Sequence, residues 1–257
     1  MSGPLNIVLP IAGRGSRFLK AGYRLPKPLI PVHGMPMIEI VVRNIRPRGP
    51  HAFTFLALRE HLEQTPMRGV LEALAPGCSI IPVGQVTEGA ACTVLLARDR
   101  INNDQPLMLA NSDQWVDLDI NDYLAEMDRR DADGLIMTMW ADHPKWSYVR
   151  CGDGGRVTGV VEKQVVSNDA TVGIYNFRRG RDFVSGAEEM IRKNLRVNDE
   201  FYVAPVYNQL IARGARVVGY SVGRVGAGMH GLGVPEDLER FAADPASWKA
   251  VGRRPGD

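Results

Sequence analysis

Residues 7–18, Ile7-Val8-Leu9-Pro10-Ile11-Ala12-Gly13-Arg14-Gly15-Ser16-Arg17-Phe18, run an apolar strand straight into a glycine-rich loop. A loop that follows the first strand of an open α/β sheet lies at the carboxyl edge, where such folds bind ligands. Gly13 and Gly15 let backbone N–H groups turn toward a phosphate, and Arg14, Arg17 and Lys27 add positive charge. Two common phosphate motifs do not fit. A dinucleotide fingerprint needs glycine where Phe18 stands, and a P-loop needs Gly-Lys followed by Ser or Thr. A tight turn with solvated arginines would use the same residues, so the loop alone leaves both readings open.

Outward from this loop the first half alternates apolar runs with helical patterns. Met37 to Ile45 reads as a helix, Phe53 to Leu58 as a strand, and a broken helical stretch follows through Pro66. Ser79 to Val83 is again strand-like, Ala90 to Arg100 helical, and Leu107 to Ala110 a fourth apolar strand. This rhythm predicts a mainly parallel sheet covered on both faces. Four β-like segments follow, at Gly134–Trp140, Ser147–Cys151, Val157–Val161 and Thr171–Phe177. Helices are expected over Asp182–Asn194 and Phe201–Ala212, then a strand over Ala215–Val222. Pro235 starts a last helix, where its fixed φ is favourable. No repeat or long linker divides the chain. The expectation is one α/β domain over residues 1–257, with a core at about 5–242 and a frayed tail at 252–257.

Composition narrows the function classes. The chain has 257 residues, 31 Lys plus Arg against 29 Asp plus Glu, and a net charge of +2. That balance argues against general nucleic-acid binding, which needs a basic field. No apolar run reaches the roughly 18 residues of a membrane span, and the N-terminus lacks a secretory pattern. Three cysteines without CxxC spacing disfavour a disulfide framework or a zinc site. A cytoplasmic, reduced protein is expected, and a symmetric homo-oligomer is compatible with it.

Further candidates cluster at predicted strand ends. Asp113 follows Leu107–Ala110 through Asn111 and Ser112, so it projects at the same edge as the loop. A carboxylate there suits Mg²⁺, which uses one or two carboxylates with phosphates and water; a turn or helix cap is the competing use. Asp117-Leu118-Asp119 forms a DxD beyond the strand end and reads better as a cap. Glu162 and Lys163 follow the strand Val157–Val161, where Lys163 can serve as a point charge for phosphate. Asn198, Glu200 and Tyr202 stand where a helix is expected to open. The histidines, Trp140 and Trp146 read as packing, and no catalytic triad is legible.

In order, LPIAGRGSRF, LPKPLIPVHGMPMIE, Gln85 with TEGAACTVLLA, LANSD, HPKWSYVRCGDGGRVTGVVEK, ATVGIYNF, NDEFYVAPVYNQLI and GLGVPEDLERF resemble the nucleotidyltransferases that make nucleotide sugars from NTP and sugar 1-phosphate. The resemblance runs from about residue 6 to 242. It implies a Rossmann-like glycosyltransferase-A type fold with a mixed, mainly parallel central sheet. Ile11, Ala12, Gly13, Arg14, Gly15 and Ser16 would wrap the triphosphate, with Arg17 and Lys27 stabilising the α-phosphate and the departing pyrophosphate. Gln85 and Gly89 would lie against the base, beside Ser112, and Asp113 would hold Mg²⁺. Lys163 would contact the acceptor phosphate, while Glu162, Thr171, Gly173, Glu200 and Tyr202 would shape the acceptor pocket. Such a transfer needs positioning and charge stabilisation rather than a general base.

One departure stands out. Many of these enzymes carry a second metal-binding carboxylate near the C-terminal helix, where this chain has Gly231-Leu232-Gly233-Val234. Either Asp113 suffices alone, or Glu236 or Asp237 approaches from the next turn. The finer wording is similar to small capsule-cluster members, one branch of which is described as cytidylyltransferases acting on phosphoglutamine. CTP is thus the expected nucleotide, with UTP or dTTP as alternatives and a small phosphorylated acceptor. Two other functions use the same fold: a glycosyltransferase with Asp117 and Asp119 as its metal motif, and a nucleotide-binding regulatory module without catalysis.

Overall fold

A computed structural model describes residues 3–254. The chain opens with β1 (Leu5–Ile11), a short loop and α1 (Ser16–Lys20), then a 3₁₀ turn at Lys27–Leu29. A small hairpin of β2 (Pro31–Val32) and β3 (Met35–Pro36) leads into α2 (Met37–Ile45) and β4 (His51–Leu58). Next come α3 (Arg59–Gln64), α4 (Met67–Leu74), β5 (Ser79–Val83), α5 (Ala90–Leu95) and α6 (Arg98–Ile101). The centre holds β6 (Leu107–Ala110), β7 (Gln114–Val116), α7 (Ile120–Arg129) and β8 (Gly134–Trp140). Strands β9 (Ser147–Cys151), β10 (Val157–Glu162) and β11 (Asp169–Phe177) precede α8 (Gly180–Arg192) and α9 (Tyr207–Ala212). The described chain closes with β12 (Val217–Val225), β13 (Gly228–Gly231), α10 (Pro235–Ala243) and α11 (Pro245–Val251).

Eleven strands form one mixed sheet, ordered β5-β4-β1-β6-β11-β8-β12-β13-β7, with β9 and β10 joined beside β11. The first four of these pair in parallel, and β11 runs antiparallel between β6 and β8. Alternation along β1 assigns its side chains to the two faces. Ile7, Leu9 and Ile11 pack with Ile38, Val41 and Val42 of α2, whereas Val8 joins Val94 of α5 and Phe183 of α8. Each such fully buried aliphatic side chain contributes about 1.5–3 kcal/mol. The expected α/β architecture, covered on both faces, is present.

Several boundaries depart from the sequence-based expectation. The helix expected over Ala90–Arg100 is two pieces, α5 and α6, parted at Leu96 and Ala97. The helix expected from Phe201 starts only at Tyr207, after a 3₁₀ turn at Ala204–Val206 that contains Pro205. Just upstream, Asn198 and Asp199 adopt positive φ angles of 48° and 62°, so Asn198, Glu200 and Tyr202 belong to a loop and cap no helix. Helix α10 begins at Pro235 as expected but is followed by α11. Of the tail expected to fray, Gly252 closes α11 at a φ of 68°, and Arg253 donates to the His33 carbonyl at 3.3 Å. Residues 255–257 of that tail lie outside the described residues. Among the described residues, no helix is long and apolar enough to cross a membrane.

Candidate active site

Parallel pairing of β1 with β6 brings the loop after one strand beside the loop after the other. Gly15 adopts a φ of 63° and precedes α1; a Cβ there would stand 3.1 Å from the Cβ of Lys27. This glycine therefore lets the glycine-rich loop close onto the turn that carries Lys27. The Lys27 ammonium reaches the Asp113 carboxylate at 2.5 Å, with both side chains largely shielded from solvent. Asp113 is fixed from the other side, where its carbonyl accepts from the Leu232 amide at 2.7 Å.

A cavity of about 300 Å³ opens here, lined by Ile11, Gly13, Gly15, Ser16, Arg17, Lys27, Ser112 and Asp113 among others. Most of the residues expected to bind the nucleotide therefore come together. Four do not line it. Ala12 is buried in the core, Arg14 is exposed beside the loop, and Gln85 is exposed after β5. Gly89 instead packs against backbone: at its φ of 129°, a Cβ would fall 2.5 Å from the Phe201 carbonyl oxygen. Ala91 donates to that same oxygen at 3.0 Å, which pins the 197–203 loop to α5.

A second cavity of about 420 Å³ adjoins the first and shares Arg17, Asn111, Asp113 and Gly233 with it. All six residues expected to shape the acceptor pocket line it: Glu162, Lys163, Thr171, Gly173, Glu200 and Tyr202. Glu162 is buried, and the Ser147 hydroxyl donates to its carboxylate. Burial pushes the Glu162 carboxyl above its ordinary value, against the opposing pull of Ser147 and Lys163. Lys163 holds a positive φ of 54° and donates to the Tyr202 hydroxyl at 2.5 Å, which raises its pKa. Gly173, at a φ of 94°, leaves room for Asn111; a Cβ there would lie 2.4 Å from the Asn111 amide nitrogen. Thr171 shares a 2.9 Å hydrogen bond with Tyr175, whose phenol is pushed up by burial.

Further residues line the second cavity. Trp146, read from the sequence as packing, is one of them, and the Lys145 ammonium stands 4.7 Å above its ring. Gln114 and Asp237 also line this cavity, whereas Glu236 is exposed and lines neither. Proximity in sequence to Asp113 was the one available signal for Gln114. The DxD behaves as a turn and cap: Asp119 accepts from the Asn121 amide at 2.9 Å and pairs with Arg48, while Asp117 pairs with Lys249. Neither carboxylate lines the two cavities.

Asp113 stands on the wall common to both cavities, beside a loop suited to phosphate. A hard cation such as Mg²⁺ takes one or two carboxylates, with phosphate oxygens and water completing its shell. No group of three or more His, Cys, Asp or Glu forms a metal cage among the described residues. The donor set therefore fits a cation brought in with a phosphate ligand rather than a permanently caged one.

A glycine-rich loop at a strand end, a lysine–carboxylate pair and an adjoining polar cavity put the candidate site of this α/β protein at the carboxyl edge of its sheet, where such folds bind ligands. Residues 6–211 match the nucleotidyl transferase family, and the chain belongs to it. It is 28% identical over 207 residues to UTP–glucose-1-phosphate uridylyltransferase of Escherichia coli (strain K12), covering 65% of this chain and 68% of that protein. The structure is similar to a nucleoside-diphosphate-sugar pyrophosphorylase from Vibrio cholerae RC9, with 25% identity and a TM-score of 0.75, over 92% of this chain and 99% of that one. A UDP-glucose pyrophosphorylase complexed with UDP-glucose shares the fold at 18% identity and a TM-score of 0.75, over 96% and 99% of the two chains. The protein is a nucleotidyltransferase.

Proposed function

We propose that the protein transfers a nucleoside monophosphate from an NTP to a small phosphorylated acceptor, with Mg²⁺ and with release of pyrophosphate. The observation that carries this reading is the common wall: Arg17 and Asp113 face both the loop cavity and the acceptor cavity. The triphosphate occupies the loop cavity, held by the backbone of Gly13 to Ser16, with Arg17 and Lys27 compensating its charge. Lys163 receives the acceptor phosphate, and Glu162, Glu200, Tyr202 and Thr171 supply polar contacts for the rest of that molecule. An oxygen of the acceptor phosphate forms the new bond to the α-phosphorus as the bond to the β-phosphate oxygen breaks, and the electron pair leaves with pyrophosphate. Mg²⁺ held by Asp113 supplies charge neutralisation on the phosphates.

CTP is the favoured nucleotide, with UTP or dTTP as alternatives. The acceptor is a sugar 1-phosphate or a phosphoglutamine-like molecule, and the product feeds capsule or surface-polysaccharide synthesis. The sequence segments around Lys27, Gln85 and Trp146 support the cytidylyl reading, and the uridylyltransferase relative supports a sugar 1-phosphate. An array of NTPs against phosphorylated acceptors, read by pyrophosphate release, separates these options. Asp113→Asn is expected to lower kcat by about 10²–10³-fold, the scale of losing one electrostatic group. Full activity of that variant, or no pyrophosphate from any pairing, overturns the proposal.

A further inference from the structure

Two carboxylates stand against the strip from Gly231 to Gly233. A Cβ on Gly233 would stand 3.0 Å from Asp113 Oδ2, and a Cβ on Gly231 would stand 3.5 Å from Asp237 Oδ2. Neither glycine has a positive φ, so the backbone does not require glycine at either position. Their missing side chains instead leave open the space that the two carboxylates face.

Asp237 is underused where it stands. Its side chain is only 16% exposed, yet its contacts are two loose ion pairs, 3.7 Å to Lys145 and 3.6 Å to Arg240. Neither distance is a hydrogen bond. Gln114 pairs directly with Gly231 in the β7–β13 register and is 2% exposed. Its amide nitrogen donates to the Asn111 carbonyl at 2.8 Å, which fixes the amide orientation; its Oε1 is buried with no partner. A buried acceptor left without a donor is costly unless something else occupies it. Asp113, Gln114 and Asp237 all line the same cavity.

We propose that Asp237 is the second carboxylate of the divalent-cation site, with Gln114 Oε1 as a neutral oxygen donor beside it. Helix α10 thus delivers from its first turn the oxygen that the glycine at position 231 cannot provide. The inference rests on the reading of Asp113 as a metal ligand. The two carboxylates pair with Lys27 and Lys145, and cation binding frees both ammonium groups for phosphate.

Mn²⁺ bound together with a non-hydrolysable α,β-methylene NTP, counted from the loss of the free Mn²⁺ electron-paramagnetic-resonance signal, tests this without turnover. Asp237→Ala is expected to weaken Mn²⁺ binding about tenfold or more. Adding Gly231→Asp to that variant is expected to restore it. Asp237→Asn, the closest isostere, serves if the alanine variant melts early. Wild-type affinity in the folded Asp237 variants, with weakened binding in Asp113→Asn, overturns the role of Asp237 and leaves Asp113 standing. Absence of Mn²⁺ from the wild-type nucleotide complex overturns both.

Discussion

Glu162 joins a buried carboxylate to an acceptor pocket, and its titration connects pH to stability. Burial raises its pKa in the folded chain, and the Ser147 hydroxyl and Lys163 only partly offset that. The folded state therefore binds this proton more tightly than the unfolded state does. Stability from this group is complete below the ordinary carboxyl value of 4.5 and is lost as pH rises through the raised native value. Glu162→Gln removes the buried charge and retains an oxygen for Ser147. The variant should melt above wild type at neutral pH, with the gap closing as pH falls below about 4.5. Melting curves across that range check it; a variant less stable at neutral pH would mean that the pocket stabilises the charged carboxylate.

Among the elements, the joint between α5 and the 197–203 loop decides how the acceptor cavity is assembled. Gly89 sits at a φ of 129° against the Phe201 backbone, and Phe201 donates back to the Glu88 carbonyl at 2.8 Å. Gly89→Ala should cost about 1–3 kcal/mol, as a strained backbone residue does. That corresponds to roughly 2–4 °C of Tm per kcal/mol in a chain of this size. Because the displaced loop carries Glu200 and Tyr202, the KM for acceptor should rise while the KM for NTP holds. The opposite split would return Gly89 to the base-binding role expected from sequence. Strands that are nearly continuous apolar runs, such as β6 and β8, were legible to the residue, since burial on both faces dictates their composition. By contrast, β13 reads Gly-Met-His-Gly, with no strand propensity, and exists because β12 and β7 pair with it. Asp113 and Lys27 were legible because a strand end and a loop place them locally. Gln114 and Lys145 were not, since long-range contacts bring Gln114 beside Gly231 and Lys145 beside Asp237; Asp237 was legible only as one of two candidates, with Glu236.

Across the whole molecule, the two halves of the sheet frame the two cavities. The parallel strands β4, β1 and β6 present the glycine-rich loop, and the mixed half from β11 to β7 builds the second cavity, which the proposed function assigns to the acceptor. Both substrates must meet at the shared wall of Arg17, Asn111, Asp113 and Gly233. Arginine and glycine offer no nucleophile there, and the Asn111 amide is a poor one. Asp113 is engaged by Lys27 at 2.5 Å, which leaves no free side chain to take up the nucleotidyl group. Transfer should then be direct, from bound NTP to bound acceptor, with both present in one complex. Initial-rate plots should intersect instead of running parallel, and an NTP chiral at an α-thiophosphate should give product inverted at phosphorus. One displacement inverts the configuration, whereas two through a covalent enzyme intermediate restore it. Retention with parallel plots would place a nucleophile at the shared wall, and Asp113 would be its first candidate.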